Sequence, residues 1–494
     1  MPDGMAGTTA VGDAMRRISW RQEIALFILT SLFLTWPLVI NGSPFYTGDS
    51  ASYLRGGSFG FHTGLEMLDH WWNALIGGSP VTSTGGDPKT IVAAAVAESG
   101  GVRSVFYSVT THLFRWPGQS LIALGIFQAS AVALAIGFLR SKLAPRADFP
   151  SSLVAVGAIS LLTTAPWYAA YAMPDIFAGV AIAGAIILTM FFDRIGAAGR
   201  ISLVLLVAYC ITVHGTHLPL AFVVLLAGAL ASFLMHRPRC GDAATRALWA
   251  ASPFVLAVVA LLGTSYLAFG EPSLAPKRYP IQLARSVADG PGAWHLRDHC
   301  ATERYAICEI FGPNPPRKSG DFLWSRDGVR YRATPEQMER IRAEESLIVR
   351  RAAMEYPVEQ FRLSARNIAR QLTMFGPDDL EFGQRLVGQT DPTLTQISAT
   401  RPRLTAFAET VVYLSFVLSA LLLVAVRRQL RPVEKGTIAI VVIGLLANAA
   451  ICGILSGVTD RYQGRVAWLL PAAAIFILLR IRSQSGPAAT ASVT

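Results

Sequence analysis

Apolar runs of roughly 16 to 23 residues, each about long enough to cross a bilayer as a helix, recur along most of this 494-residue chain. A run of that kind has few folding options. In hydrocarbon every backbone N–H and C=O must be bonded within the segment, which leaves helices. Charged residues make up only 15% of the chain and hydrophobic ones 52%, whereas soluble proteins carry about 25% charged residues. The pattern predicts an all-α polytopic membrane protein with about ten transmembrane helices, over 23–40, 120–139, 151–166, 176–192, 201–214, 218–235, 247–269, 404–426, 437–456 and 465–481.

The net charge of +11 does not point to nucleic acid, because the basic residues sort by loop. Arg16, Arg17 and Arg21 precede the first run. Alternate short loops then carry Arg140, Lys142 and Arg146; Arg194 and Arg200; Arg237, Arg239 and Arg246; and Arg427, Arg428, Arg431 and Lys435. Arg480 and Arg482 follow the last run, while the turns 166–174 and 214–219 have no Lys or Arg. Under the positive-inside rule both termini are expected in the cytoplasm. No small-residue cleavage site follows the first run, so a removable signal peptide is not expected.

That topology divides the chain into an N-terminal membrane module (1–269) with a long first outer loop (41–119), an outer excursion (270–403), C-terminal membrane helices (404–482) and a polar, disordered tail (483–494). Cys300 and Cys308 fall outside, and Cys210, Cys240 and Cys452 fall in spans or on the inner side. A disulfide in an oxidising compartment such as a bacterial periplasm fits this split, with two unpaired thiols as the alternative. Seven of the eight histidines also fall outside, His236 being the exception.

The outer segments carry further local signals. Leu65, Leu68, Trp72 and Leu75 fall at helical spacing and suit an interfacial helix, and a second short helix is expected over 91–99. Asp327-Gly328 between short β-prone runs predicts a hairpin within 322–332. Thr334-Pro335-Glu336-Gln337 predicts a helix start with a capping box. Pro357 opens another helix, with Val358, Phe361, Ala365, Ile368, Leu372 and Phe375 largely on one face and Arg362, Arg366 and Arg370 on another. Membrane-surface packing and ordinary core packing both fit that pattern.

Several charged residues stand at the predicted outer boundary. Asp49 sits among Gly48, Ser50 and Ala51, flanked by Tyr46 and Tyr53 and followed by Arg55; it is a reactive carboxylate or a helix cap. Asp175, after Pro174, opens the fourth run and can likewise cap it. His214 and His217 could bind a metal, serve acid–base chemistry or hydrogen-bond structurally. Arg461 and Arg465, beside Asp460 and Tyr462, oppose the positive-inside trend and suit a lipid phosphate, with an Asp460–Arg461 pair and headgroup contact as the alternative.

In Gly48-Asp49-Ser-Ala-Ser-Tyr53, Pro174-Asp175 and Asp460-Arg461-Tyr462, and in the order of its loops, the chain resembles the GT-C membrane glycosyltransferases, such as protein mannosyltransferases and lipid A aminoarabinose transferases. The resemblance implies a GT-C-like fold with a small mixed outer-face domain in the bacterial inner membrane. It implies a sugar taken from a polyprenyl-phosphate donor and passed to a lipid, glycan or protein acceptor. Asp49 and Asp175 would be catalytic, with His214 or His217 assisting; Tyr53, Arg55, Arg461, Tyr462 and Arg465 would bind substrate among membrane lipids. Some relatives carry two acids in the second loop that help bind a divalent metal. This chain has one there, so metal dependence stays open. A transporter or flippase would favour carboxylates at mid-membrane and internal repeats, and neither is evident. A non-catalytic envelope assembly protein, using 270–403 to bind a partner, is the third alternative.

Overall fold

The computed structural model describes residues 18–57, 60–61, 103–115, 120–236, 240–388 and 393–484. The expected helices over 65–76 and 91–99 lie outside them, as does the tail beyond Gln484. Among the described residues the chain is all-α apart from one short hairpin, and it is a multi-pass membrane protein. Among the described residues, seven helices are long and apolar enough to cross a membrane: Trp20–Asn41, Ile122–Leu143, His217–His236, Gly241–Leu267, Pro402–Ala425, Pro432–Leu455 and Asp460–Gln484. Three expected spans coincide instead with shorter apolar helices, Phe149–Leu162, Pro174–Met190 and Ala197–Thr212.

The bundle is built from α1 (Trp20–Phe33), α2 (Ile122–Leu143), α3 (Phe149–Leu162), α4 (Phe177–Met190), α5 (Ala197–Thr212), α6 (His217–His236) and α7 (Cys240–Phe269). Every residue of α4 is buried, so it is the central helix, which explains why it is apolar on all sides. Two close approaches set its neighbours. A Cβ on Gly436 would lie 2.3 Å from Met190 Cε, and one on Gly179 would lie 2.4 Å from Trp468 Nε1. At Gly179, where the Arg465 carbonyl oxygen would also lie 2.8 Å away, only glycine permits such contact.

The excursion between the membrane helices has its own core, formed by Leu283, Leu296, Ile307, Phe322, Ile341 and Ile348 among others. Its main helices are α8 (Pro291–Glu303) and α9 (Pro335–Glu355). α9 begins with the expected capping box of Thr334 and Gln337. Cys300 and Cys308 are disulfide-bonded, with Cα atoms 5.6 Å apart. The chain reverses between them at Arg304, whose φ of 51° is left-handed. A straight helix would hold them about 12 Å apart. Buried Glu345 accepts the backbone N–H groups of Gln282 and Leu283 at 2.8 and 3.1 Å, capping the helix Ile281–Asp289.

The hairpin expected over 322–332 is absent; two short helices, Ser319–Trp324 and Val329–Arg332, flank the turn instead. A Cβ on Gly328 would lie 2.8 Å from the Asp321 carbonyl oxygen. The glycine therefore serves a tight helix-to-helix turn, which buries Phe322, Leu323 and Val329 together. The strands that do form, β1 (Gln384–Val387) and β2 (Thr393–Gln396), pair antiparallel farther on.

α10 (Pro357–Thr373) runs from the excursion back onto the bundle. Val358 and Phe361 are 72% and 76% exposed, so this part of the face is not packed into a core. Its buried positions are Leu363, Asn367 and Gln371. Asn367 donates to Asp289 at 3.0 Å, tying the excursion down. The chain closes with α11 (Pro402–Ala425), α12 (Pro432–Leu455), α13 (Asp460–Ala467) and α14 (Leu469–Gln484).

The loops gather at two ends of the bundle. One end joins Arg140 to Glu23, Lys142 to the Arg194 carbonyl, Arg246 to Asp193 and Arg480 to Glu434. The opposite end holds the candidate site.

Candidate functional site

The first and second loops are stitched together by backbone. Phe45 N–H donates to Ala170 O and Ala172 N–H to Phe45 O, both at 2.9 Å. Ser50 Oγ donates to Ala172 O at 2.9 Å and accepts from Thr47 N–H at 3.1 Å. From the bundle side, the Gln128 amide donates to the Ala169 and Tyr171 carbonyls at 3.0 and 2.7 Å, while accepting from Tyr107 Oη. A polar residue in the second apolar run thus satisfies carbonyls that a non-helical turn leaves unpaired.

This stitching presents Asp49 at the start of a short helix over 48–57. Its carboxylate is shared by two guanidiniums: Arg103 Nη2 lies 2.5 Å from Oδ1, and Arg461 Nη2 lies 3.7 Å from Oδ2. Arg461 is aimed by several contacts. Its N–H donates to Asp379 Oδ2 at 2.8 Å, and its side chain reaches Tyr171 Oη at 3.5 Å and Tyr462 Oη at 3.3 Å. Gln371 of α10 clamps the preceding Thr459 through both backbone groups, at 2.7 and 3.1 Å. Asp460 accepts from Gly376 N–H at 2.9 Å, so it is occupied elsewhere and the expected Asp460–Arg461 side-chain pair does not form.

Asp175 lies deeper. It and Arg465 are both fully buried, with Arg465 Nη1 at 3.3 Å from Asp175 Oδ1. The Asp175 carboxylate does not cap its helix. Asn448, in the middle of α12, accepts from Arg465 Nη2 at 2.8 Å and Nε at 3.2 Å, and Thr216 Oγ1 accepts from Nη2 at 2.9 Å. Among the described residues, Asp175 Oδ2 has no hydrogen-bond partner.

His217 is buried, its Nδ1 2.7 Å from the Cys210 carbonyl, while its Nε2 has no partner among the described residues. The His214 ring lies 5.1 Å from it and meets Thr216 Oγ1 at 2.8 Å. Desolvation, together with the guanidiniums of Arg465, Arg461 and Arg103, holds the His214 imidazole well below its ordinary pKa. Tyr53 is buried edge-on against Tyr107 at 4.8 Å; burial pushes its phenol up, and both Asp49 and Asp175 are near enough to add to that shift. Arg55 follows two residues on in the same short helix.

Asp49, Arg461 and Tyr462 line a cavity of about 360 Å³ with Arg103, Tyr171 and Asp379, roofed by Ile281, Gly320, Leu323 and Trp324 of the excursion. Asp175, Arg465 and His217 are not on its wall. His214 instead lines a smaller, mainly apolar recess of about 120 Å³ on the far side of Arg103. The expected residues therefore meet as a layered cluster rather than around one cavity.

Sequence reading missed Arg103 and Asn448. Arg103 gave no signal like that of Arg461, because it lies in a long outer loop that also carries Arg55, Lys89 and Arg115, and the positive-inside rule counts short loops. Asn448 is a lone amide within a span, the kind of residue that marks an internal partner. The cavity lining carries two arginines and two aspartates, so an incoming anion must compete with Asp49 for its guanidiniums. The donors do not fit a divalent metal, since three arginines stand among the two candidate carboxylates. No family model, curated protein or solved structure matches this chain.

Proposed function

We propose that this protein is a membrane glycosyltransferase of the GT-C kind, moving a sugar from a polyprenyl-phosphate donor to a lipid, glycan or protein acceptor. In this reading ten segments cross the bacterial inner membrane, both termini are cytoplasmic, and the site faces outward. The observation that carries it is Asp49 held between Arg103 and Arg461 on the wall of a cavity roofed by the excursion. A donor phosphate suits those two guanidiniums. As it binds, it takes them from Asp49, whose carboxylate is then free to accept the proton of an acceptor hydroxyl. Arg461 stabilises the leaving phosphate. Asp175 pairs with Arg465, four residues along α13 from Arg461, and so anchors the helix that carries that cation, while burial and the nearby guanidiniums disfavour the charged form of His214.

The test is donor consumption by purified protein given polyprenyl-phosphate sugars. Turnover by the wild type that Asp49→Asn removes supports the reading; turnover untouched by Asp49→Asn, or none with any donor, overturns it. Orientation is checked by cysteine labelling at Arg140→Cys and Arg427→Cys, which should be shielded from outside. A flippase or transporter is the second reading, favoured by the fully buried Asp175–Arg465 pair. Lipid or solute movement across vesicles without donor cleavage would select it.

A further inference from the structure

A second cluster of chemistry-bearing side chains lies in the excursion, away from the candidate site. His295 and His299 are four residues apart on α8 and therefore share a face. Their ring centroids are 4.5 Å apart. Glu355, the last residue of α9, meets both: its Oε2 lies 2.6 Å from His295 Nδ1 and 3.3 Å from His299 Nε2. One donor atom from each residue lies within 4.8 Å of the others. Donors bound tetrahedrally at about 2.0–2.1 Å stand about 3.3 Å apart, so a small swing of the partly exposed Glu355 side chain brings the three to bonding geometry.

The surroundings match what such ligands need. His295 is buried, and its other nitrogen, Nε2, faces Tyr305 Oη at 3.3 Å. That hydroxyl is in turn held by Arg351 Nη1 at 2.8 Å. A ligating histidine generally gives its second nitrogen to a fixed polar partner in this way. The Cys300–Cys308 disulfide begins one residue after His299 and closes the turn that carries Tyr305, which makes the frame rigid. His299 and Glu355 are 38% and 34% exposed at their side chains, leaving an open side for an ion and for water in the remaining position.

We infer that His295, His299 and Glu355 form a binding site for a divalent transition-metal cation of the zinc class. Two imidazoles and one carboxylate suit that class, and oxygen-seeking cations such as magnesium poorly. The role is structural rather than hydrolytic. The residue after the first histidine, where zinc hydrolases of the H-E-x-x-H type carry their general base, is the buried Leu296. The ion would fasten α8 to the end of α9, where Pro357 turns the chain into α10 and back to the bundle.

The experiment uses the full chain in detergent, stripped with chelator and then titrated calorimetrically with Zn²⁺. The expected result is one saturable equivalent and a rise in melting temperature on zinc addition. His299→Ala and Glu355→Gln should each abolish that rise, yet melt like the stripped wild type. Tyr305→Phe, acting only through His295, should weaken binding by about 10-fold to 100-fold. Failure of the wild type to take up zinc overturns the inference. So does uptake that survives the His299→Ala/Glu355→Gln double variant, or uptake lost in Asp49→Asn but intact in His299→Ala.

Discussion

Two buried arginine–carboxylate pairs sit at opposite ends of the bundle, and they are built differently. At the basic end Arg480 meets Glu434 through two bonds, Nε to Oε1 at 3.0 Å and Nη2 to Oε2 at 2.6 Å. Glu434 also accepts from Arg431 N–H, and Arg480 donates to Gln429 O and Gln484 Oε1. At the other end Arg465 touches Asp175 once, at 3.3 Å, and one oxygen of Asp175 has no partner among the described residues. A bidentate pair with its remaining bonds satisfied holds structure together. A single long contact leaves only the acidic partner unsaturated, since Arg465 itself is held by Asn448 and Thr216. Burial alone does not distinguish the two pairs; saturation of the carboxylate's hydrogen bonds does.

The largest effect that would sharpen this contrast is on turnover. Asp49→Asn, at the unsaturated end, should slow donor consumption by about 10²–10⁴-fold while leaving the melting temperature unchanged. Equal loss of folding and turnover would erase the distinction. Next is stability at the saturated end. Arg480→Ala strands a buried carboxylate and should cost about 3–5 kcal/mol, read by thermal unfolding in detergent. Replacing both partners with apolar residues, Glu434→Leu with Arg480→Met, should restore most of that.

A finer comparison neutralises each carboxylate without changing its size. Glu434→Gln disturbs three charged hydrogen bonds, each contributing about 1.5–3 kcal/mol, whereas Asp175→Asn disturbs one. Glu434→Gln should therefore lower the melting temperature more. The reverse order would break the argument from saturation. The smallest effect concerns pH. His214 titrates below its ordinary value in the folded chain, so the folded state binds fewer protons than the unfolded one between the two values. Stability should be undiminished above pH about 6.5 and decline as pH falls below it. His214→Gln should flatten that slope.

The fold class was legible because membrane helices announce themselves by length and polarity, and the loop sorting by the positions of Lys and Arg. Asp49, Asp175, Arg461 and Arg465 were legible for a related reason: a charge at the edge of an apolar run stands out. Two things were not. Arg103 precedes the short helix Val105–Leu113, and its reach to Asp49 depends on how the first loop folds back, which no local pattern encodes. The depth ordering was also hidden, because Asp175 and Asp49 share a boundary in sequence but not in space. The misplaced hairpin has a plainer cause. Asp-Gly marks a turn without stating what the turn joins, and the buried Phe322, Leu323 and Val329 settle that in favour of helices.

The partners of the deep pair are 290 residues apart, and this has a consequence for biosynthesis. Chains are made at about 5–20 residues per second, so Asp175 enters the membrane roughly 15–60 s before Arg465 is synthesised. For that interval the nascent bundle holds an acidic group that lacks its cation, and Asp49 lacks Arg461. The half-made protein is thus incompletely packed until α13 arrives. A chain that stops short of α13 should be recognised by membrane quality control and degraded.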